Sequence, residues 1–239
     1  MLESFNADIK IKHINQNKHI FVKGQKNLVP KNIEVPSDLS SAAFFIVAAL
    51  INKNSHLELD NINLNPTRDG ILKAIKMMGG KINITNTKKI NGEMIGKIEV
   101  TSSDLRGCEL SEEFAKLMID EYPILSIAAA HAKTPSIFKG LSELKVKESN
   151  RLELIRYNLD NCGIYCKVDE DNLIIDPTKK FLPKSNIIKT NSDHRIAMSF
   201  AIMGTRMEIP LKIKDSEFIK TSFPNFINLF NSLGGNLTE

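Results

Sequence analysis

The sequence predicts an α/β (α+β) fold built from repeated β-α-β-α-β-β units. Three apolar stretches each follow an aspartate: Asp38 before LSSAAFFIVAAL, Asp120 before EYPILSIAAAHA, and Asp193 before HRIAMSFAIMG. Three amphipathic segments each close at glycine: ILKAIKMMGG, RLELIRYNLDNCG and NFINLFNSLGG. The spacing between aspartate and glycine is nearly constant, at 41 residues (Asp38 to Gly79), 43 (Asp120 to Gly163) and 41 (Asp193 to Gly234). A period of that kind is the mark of an internal repeat.

The elements follow in chain order. MLESFNADIKI reads as the end of an amphipathic helix with its following strand, and HIFVKG as the last strand of a unit whose front half is missing. The chain is therefore expected to be a fragment or a shortened version of a longer protein; a self-sufficient β-hairpin with a helical stub is the alternative. In each of the three later units the first helix is apolar almost all round and is expected to be buried. The second carries one apolar face and is expected to lie half exposed against a sheet. Short β-rich runs separate the two helices: His56 to Leu59, Pro135 to Phe138, and Ile209 to Ile213. After the glycine come KINITNT then KIEVTS, and IYCKVDE then NLIIDP. Asn65-Pro66 and Ser222-Phe223-Pro224 predict helix starts, a cap residue ahead of a proline, and the glycines predict left-handed C-caps. Three units imply a pseudo-threefold domain with sheets outside and apolar helices inside.

Composition narrows the function. The 239 residues suffice for the core of one or two domains. With 42% hydrophobic and 25% charged residues, wholesale disorder is excluded. A net charge of +4, dispersed along the chain, is too weak for a nucleic-acid footprint. The longest apolar run, Ala42 to Ile51, is far short of the ~18 residues of a membrane span. The chain does not open on a basic-then-apolar signal. Cys108, Cys162 and Cys166 cannot all pair and lack metal-site spacing, so they read as core residues in a reducing compartment. The expectations are cytoplasmic localisation with no nucleic-acid partner, no membrane partner and no metal.

The repeat sends the helix N-termini of all three units to one face. That face collects Asp38, Asp120, Asp193, His194 and Arg195, with Lys147, Glu148, Arg151 and Lys220. Helix N-termini favour anions, and only six of the 32 cations are arginines, whose planar fork grips carboxylate or phosphate bidentately. The face is thus expected to hold a small polyanionic ligand. Plainer explanations stand beside this one. Asp38 and Asp193 are better explained as N-caps and Asp120 equally well so. Lys147, Glu148 and Arg151 could form a solvated helix start with Glu148 pairing at i+3, and His194 could be structural.

LSELKVKESNRL, TNSDHRIAMSF, VPSDLSSAAFFIVAA, LNPTRDG, MIDEYPILSIAA and TSFPNF together resemble the 5-enolpyruvylshikimate-3-phosphate (EPSP) synthase family, most closely its comparatively glyphosate-tolerant bacterial class. The resemblance spans the chain from Met1 to Gly235. It implies an enolpyruvyl-transferase-like inside-out α/β barrel. Residues 1–34 would be the tail of an N-terminal domain, a truncated repeat. Residues 35–239 would be the C-terminal domain, in units of about 35–105, 106–185 and 186–239. The rest of the N-terminal domain, and a short opening segment that completes the C-terminal one, would be missing partners.

The same resemblance implies transfer of the enolpyruvyl group from phosphoenolpyruvate to the 5-hydroxyl of shikimate 3-phosphate, with release of phosphate, in chorismate and aromatic amino acid biosynthesis. It implies no cofactor and, for the complete enzyme, a monomer. It assigns Asp120 to the attacking hydroxyl of shikimate 3-phosphate, and Lys147 and Glu148 to proton transfer, Lys147 also contacting shikimate 3-phosphate. It assigns Arg151 and Arg195 to the phosphoenolpyruvate carboxylate, with His194 beside them and Lys220 on the phosphate. The spacing from Lys220 to Phe223-Pro224 is one residue longer than in some members, and Asn150 stands where many have aspartate. A non-catalytic anion-binding fragment or shortened homologue, and transfer to another hydroxylated acceptor, are the competing readings.

Overall fold

A computed structural model describes residues 2–15 and 17–238; the expectation placed on Met1 lies outside them. A short 3-10 turn, Leu2–Phe5, leads into β1 (Asp8–Ile14) and β2 (Asn17–Lys23). These pair antiparallel as a separate two-stranded sheet, Asp8 opposite Lys23. Extended chain then reaches the first unit.

That unit comprises α1 (Leu39–Ile51), β3 (His56–Asn63), α2 (Gly70–Met77), β4 (Lys81–Ile90) and β5 (Glu93–Thr101). The second comprises β6 (Glu109–Leu110), α3 (Glu112–Met118), α4 (Tyr122–Ala130), β7 (Ser136–Phe138), α5 (Arg151–Asn161), β8 (Ile164–Asp169) and β9 (Asn172–Lys180). The third comprises β10 (Ile187–Ile188), α6 (His194–Gly204), β11 (Lys212–Ile213), α7 (Ile219–Ser222) and α8 (Phe226–Ser232).

Sheet topology repeats with the sequence. In each unit a short lead segment runs parallel to the strand after the first helix: Ser37 with Ile62, β6 with β7, and β10 with β11. In the first two units the last strand inserts antiparallel beside that strand, giving β3-β5-β4 and β6-β7-β9-β8. The third sheet has β10 and β11 alone among the described residues. An open groove of about 770 Å³ lies beside it, between α1, α6 and the chain after α8.

The first helix of each unit is buried because it has no polar face to present. In α4 every residue from Tyr122 to Ala130 is buried, and α1 and α6 are nearly as enclosed. These three helices pack on one another, so the core sits on the pseudo-threefold axis with the sheets outside it. Phe44 and Phe45 of α1 meet Phe226 of α8 at ring-centroid distances of 6.1 and 5.6 Å, which clamps the third unit to the first. The glycine C-caps form as expected: Gly79, Gly163 and Gly234 have φ of +81°, +83° and +94°.

Two local expectations are corrected. Asn65 does not cap α2, which starts five residues later; its Oδ1 accepts from the backbone N–H of Thr67 at 3.0 Å, closing a turn around Pro66. Ser222 ends α7 rather than starting α8, whose N-cap position is Asn225. In both cases a proline that could open a helix sits in the preceding turn.

Candidate active site

The charged face is organised by Arg151, the first residue of α5, whose side chain is 0% exposed. Its Nε donates to Asp193 Oδ2 at 2.8 Å and its Nη1 to Asp120 Oδ1 at 3.1 Å. Its Nη2 lies 2.5 Å from Glu148 Oε2 and 3.4 Å from Asp193 Oδ1. A buried guanidinium is tolerable only with this kind of pairing.

Asp193 does two jobs. It caps α6 by accepting from the N–H of Arg195 at 2.9 Å, and the same carboxylate holds Arg151 and accepts from Ser149 Oγ at 2.8 Å. Burial pushes its pKa up, but Arg151, Ser149 and the Arg195 N–H outweigh that and hold it below the usual aspartate value. Asn150 caps α5 by accepting from the N–H of Glu153 at 3.1 Å, which fixes where Arg151 leaves the backbone.

Asp120 lies in the 3-10 turn Ile119–Glu121 that leads into α4, and it is not the N-cap of either: those positions are Met118 and Glu121. It faces Lys147 Nζ and Arg68 Nη2, both at 3.6 Å, as well as Arg151. Burial raises its pKa, and Arg195, Lys147, Arg151 and Arg68 together reverse the sign, so it stays ionised. Lys147 also pairs with Glu143; that bond, against partial burial, raises its pKa and keeps it protonated. Glu148 is half exposed, at the outer end of the Arg151 fork.

Arg195, on the first turn of α6, donates from Nη1 to the Asp120 carbonyl at 3.2 Å. His194 is partly buried beside it; burial lowers its pKa, and Arg195 adds to this against the opposing pull of Asp193. Lys220 is exposed on α7, which packs against α6. Asp38 stands apart from the ion pairs as an exposed N-cap of α1, accepting from the N–H of Ser41 at 2.9 Å.

Direct contacts thus join Asp120, Lys147, Glu148, Arg151 and Arg195, with His194 adjacent in the chain. Sequence reasoning missed Arg68, Glu121, Ser40 and Ser149. Arg68 had a signal, being one of six arginines and lying in LNPTRDG. Glu121 had only its place next to Asp120.

Apolar helices clustered on a pseudo-threefold axis, with arginines and carboxylates at their N-terminal ends, form an enolpyruvyl-transferase type of domain. The fold matches the enolpyruvyl transferase NikO from Streptomyces tendae with a TM-score of 0.73 at 15% identity, over 98% of this chain and 51% of that one. It matches EPSP synthase from Acinetobacter baumannii with a TM-score of 0.89 at 39% identity, over 97% of this chain and 53% of that one. The family model for EPSP synthase (3-phosphoshikimate 1-carboxyvinyltransferase) matches residues 1–230, and the chain belongs to that family.

Curated relatives with the name 3-phosphoshikimate 1-carboxyvinyltransferase include one from Petrotoga mobilis, 43% identical, and one from Cereibacter sphaeroides, 40% identical. The alignments cover 98% and 99% of this chain and 53% of each relative. The chain therefore spans about half the length of the curated relatives it matches.

Proposed function

We propose that this chain supplies the C-terminal half of an active site that transfers the enolpyruvyl group of phosphoenolpyruvate to the 5-hydroxyl of shikimate 3-phosphate. The observation that carries this reading is the contact network of Asp120, Lys147, Glu148, Arg151 and Arg195, in a chain belonging to the EPSP synthase family. Residues 1–34 are assigned to the tail of an N-terminal domain and 35–239 to the C-terminal domain. The site is completed by the remainder of the N-terminal domain, and the complete enzyme works as a cytoplasmic monomer.

In this reading the hydroxyl oxygen of shikimate 3-phosphate bonds to C2 of phosphoenolpyruvate as its proton leaves, and the methylene carbon gains a proton. The tetrahedral intermediate then loses a proton from that carbon and expels inorganic phosphate. Asp120, kept ionised by four cations, orients the hydroxyl and accepts from it. Lys147 and Glu148, adjacent in the chain and differing in charge, handle the proton traffic. Arg195 takes the carboxylate of phosphoenolpyruvate, with His194 and Lys220 on its phosphate side. Arg151 reaches that carboxylate only where Glu148, its half-exposed partner, gives way. Domain closure would exclude water and join the two halves of the site.

The test is phosphate release from phosphoenolpyruvate plus shikimate 3-phosphate. This chain alone is expected to be silent and to become active when mixed with a separately expressed N-terminal half. Glu148→Gln in the reconstituted enzyme should depress kcat by about a hundredfold, the lower end of a general acid–base contribution, with little change in KM. Continued silence of the mixture, with both halves folded, would rule the reading out.

A further inference from the structure

Glu121 is a buried acidic side chain of the site that no step above uses. Its side chain is 1% exposed, Oε1 accepts from Ser40 Oγ, and Oε2 finds no hydrogen-bond partner among the described residues. Two guanidiniums converge on Oε1, Arg68 Nη2 at 3.7 Å and Arg195 Nη1 at 3.9 Å. Arg68 Nη2 also donates to Ser40 Oγ at 3.3 Å and lies 3.6 Å from Asp120. The groups facing Glu121 are thus Ser40 of α1, Arg68 of the β3–α2 connection, Arg195 of α6 and its own neighbour Asp120. All three units meet at this carboxyl.

As packing alone, the residue is a poor choice. A buried carboxylate with an unpartnered oxygen costs stability, and burial here raises the pKa against the pull of Ser40, Arg195 and Arg68. Glutamine would fill the same volume and keep the Ser40 bond. What glutamate adds is a negative charge under two arginines. Among the described residues the Arg195 guanidinium otherwise holds one hydrogen bond, to the Asp120 carbonyl, and the Arg68 side chain is 47% exposed, its Nε and Nη1 without hydrogen-bond partners. Arg151, in contrast, has its fork occupied by carboxylates on every side.

We propose that Glu121 is a positioning residue: its carboxylate seats Arg68 and Arg195 side by side, so that Arg68 becomes a further guanidinium facing the anionic substrate. That the substrate is phosphoenolpyruvate rests on the function proposed above. Loss of the seat weakens binding of that substrate and leaves the chemical step alone. Protonation has the same effect, so KM for phosphoenolpyruvate rises as pH falls through the raised pKa of Glu121.

The experiment compares the complete enzyme with its Glu121→Gln, Glu121→Asp and Arg68→Gln variants. Initial rates would be read against both substrates, beside the Arg195 Nε–H signal in ¹⁵N spectra. Glu121→Gln is expected to raise KM for phosphoenolpyruvate about tenfold, the worth of one charge-assisted contact, and to abolish its rise at low pH. kcat and KM for shikimate 3-phosphate should stay within about twofold, the scale of a few tenths of a kcal/mol. Glu121→Asp keeps the charge and should recover part of the loss, which a packing role would not allow, since aspartate leaves a gap that glutamine fills. Arg68→Gln, at an exposed position that does not disturb the core, should raise the same KM about threefold. The Arg195 signal should shift in Glu121→Gln. An unmoved KM with an unmoved Arg195 signal would overturn the inference, as would kcat, both KM values and thermal stability falling together. An unmodified enzyme that releases no phosphate would overturn the proposed function instead, and the Arg195 signal would then decide the seat by itself.

Discussion

Arg151 is accommodated with its side chain wholly buried because carboxylate partners reach it from the turn before α4, the segment just before α5 and the cap of α6. Asp193 is the partner that cannot move, since its oxygens also close the first turn of α6. Asp193→Asn should therefore cost about 3 kcal/mol, the low end for breaking a buried ion pair, measured by urea unfolding near neutral pH. The folded-state pKa of Asp193 is depressed, so its contribution is fully present above the unfolded value of about 3.9 and is lost as pH falls through the lower folded value. The gap between wild type and Asp193→Asn should accordingly close below about pH 4; a gap that stays constant would mean that the charge is not what stabilises. Of this site the sequence made the charged types visible, because they cluster at repeat-related helix starts. It could not show that Asp193 is both cap and counter-ion. Nor could it show that Arg68, 52 residues before Asp120, folds back onto that aspartate, because long-range pairing leaves no local periodicity.

The elements were legible wherever their own periodicity decides them. α1, α4 and α6 are apolar almost all round and largely buried, and the repeat spacing fixed the three C-cap glycines. The helix starts at Asn65 and Ser222 were misread because a proline fits a turn as well as a first helical position. Equivalent elements need not be equally sensitive, as the glycines show. Gly79 has φ +81° and open space where a Cβ would stand. Gly163 has φ +83°, and its Cβ would fall 2.4 Å from the Phe181 carbonyl oxygen. Gly79→Ala should cost about 1 kcal/mol, the left-handed backbone penalty alone. Gly163→Ala should cost about 3 kcal/mol, because the overlap with backbone adds to it. Urea midpoints of the two variants would check the ranking, and equal losses would mean that the β9 end relaxes away from Gly163 without cost.

At the scale of the whole molecule the first residues and the three units differ in kind. Around the threefold axis, buried helices support one another, whereas β1 and β2 form a two-stranded sheet in which every β2 residue is exposed, including Ile20, Phe21 and Val22. An isolated hairpin is marginal in water, and exposed apolar side chains on one strand suit a surface that another part of the protein covers. If residues 1–34 are the tail of an N-terminal domain, the rest of that domain should supply the cover. Amide hydrogen exchange separates the cases. In this chain alone the amides of β1 and β2 should exchange with protection far below that of α1, α4 and α6, because local opening there breaks few buried contacts. Adding the N-terminal half should slow the hairpin by about a hundredfold or more, equivalent to ~2.7 kcal/mol of linkage when the partner is near saturation, and leave the three central helices unchanged. Strong protection of the hairpin without the partner would make it a self-sufficient element and remove the reason for assigning it to another domain.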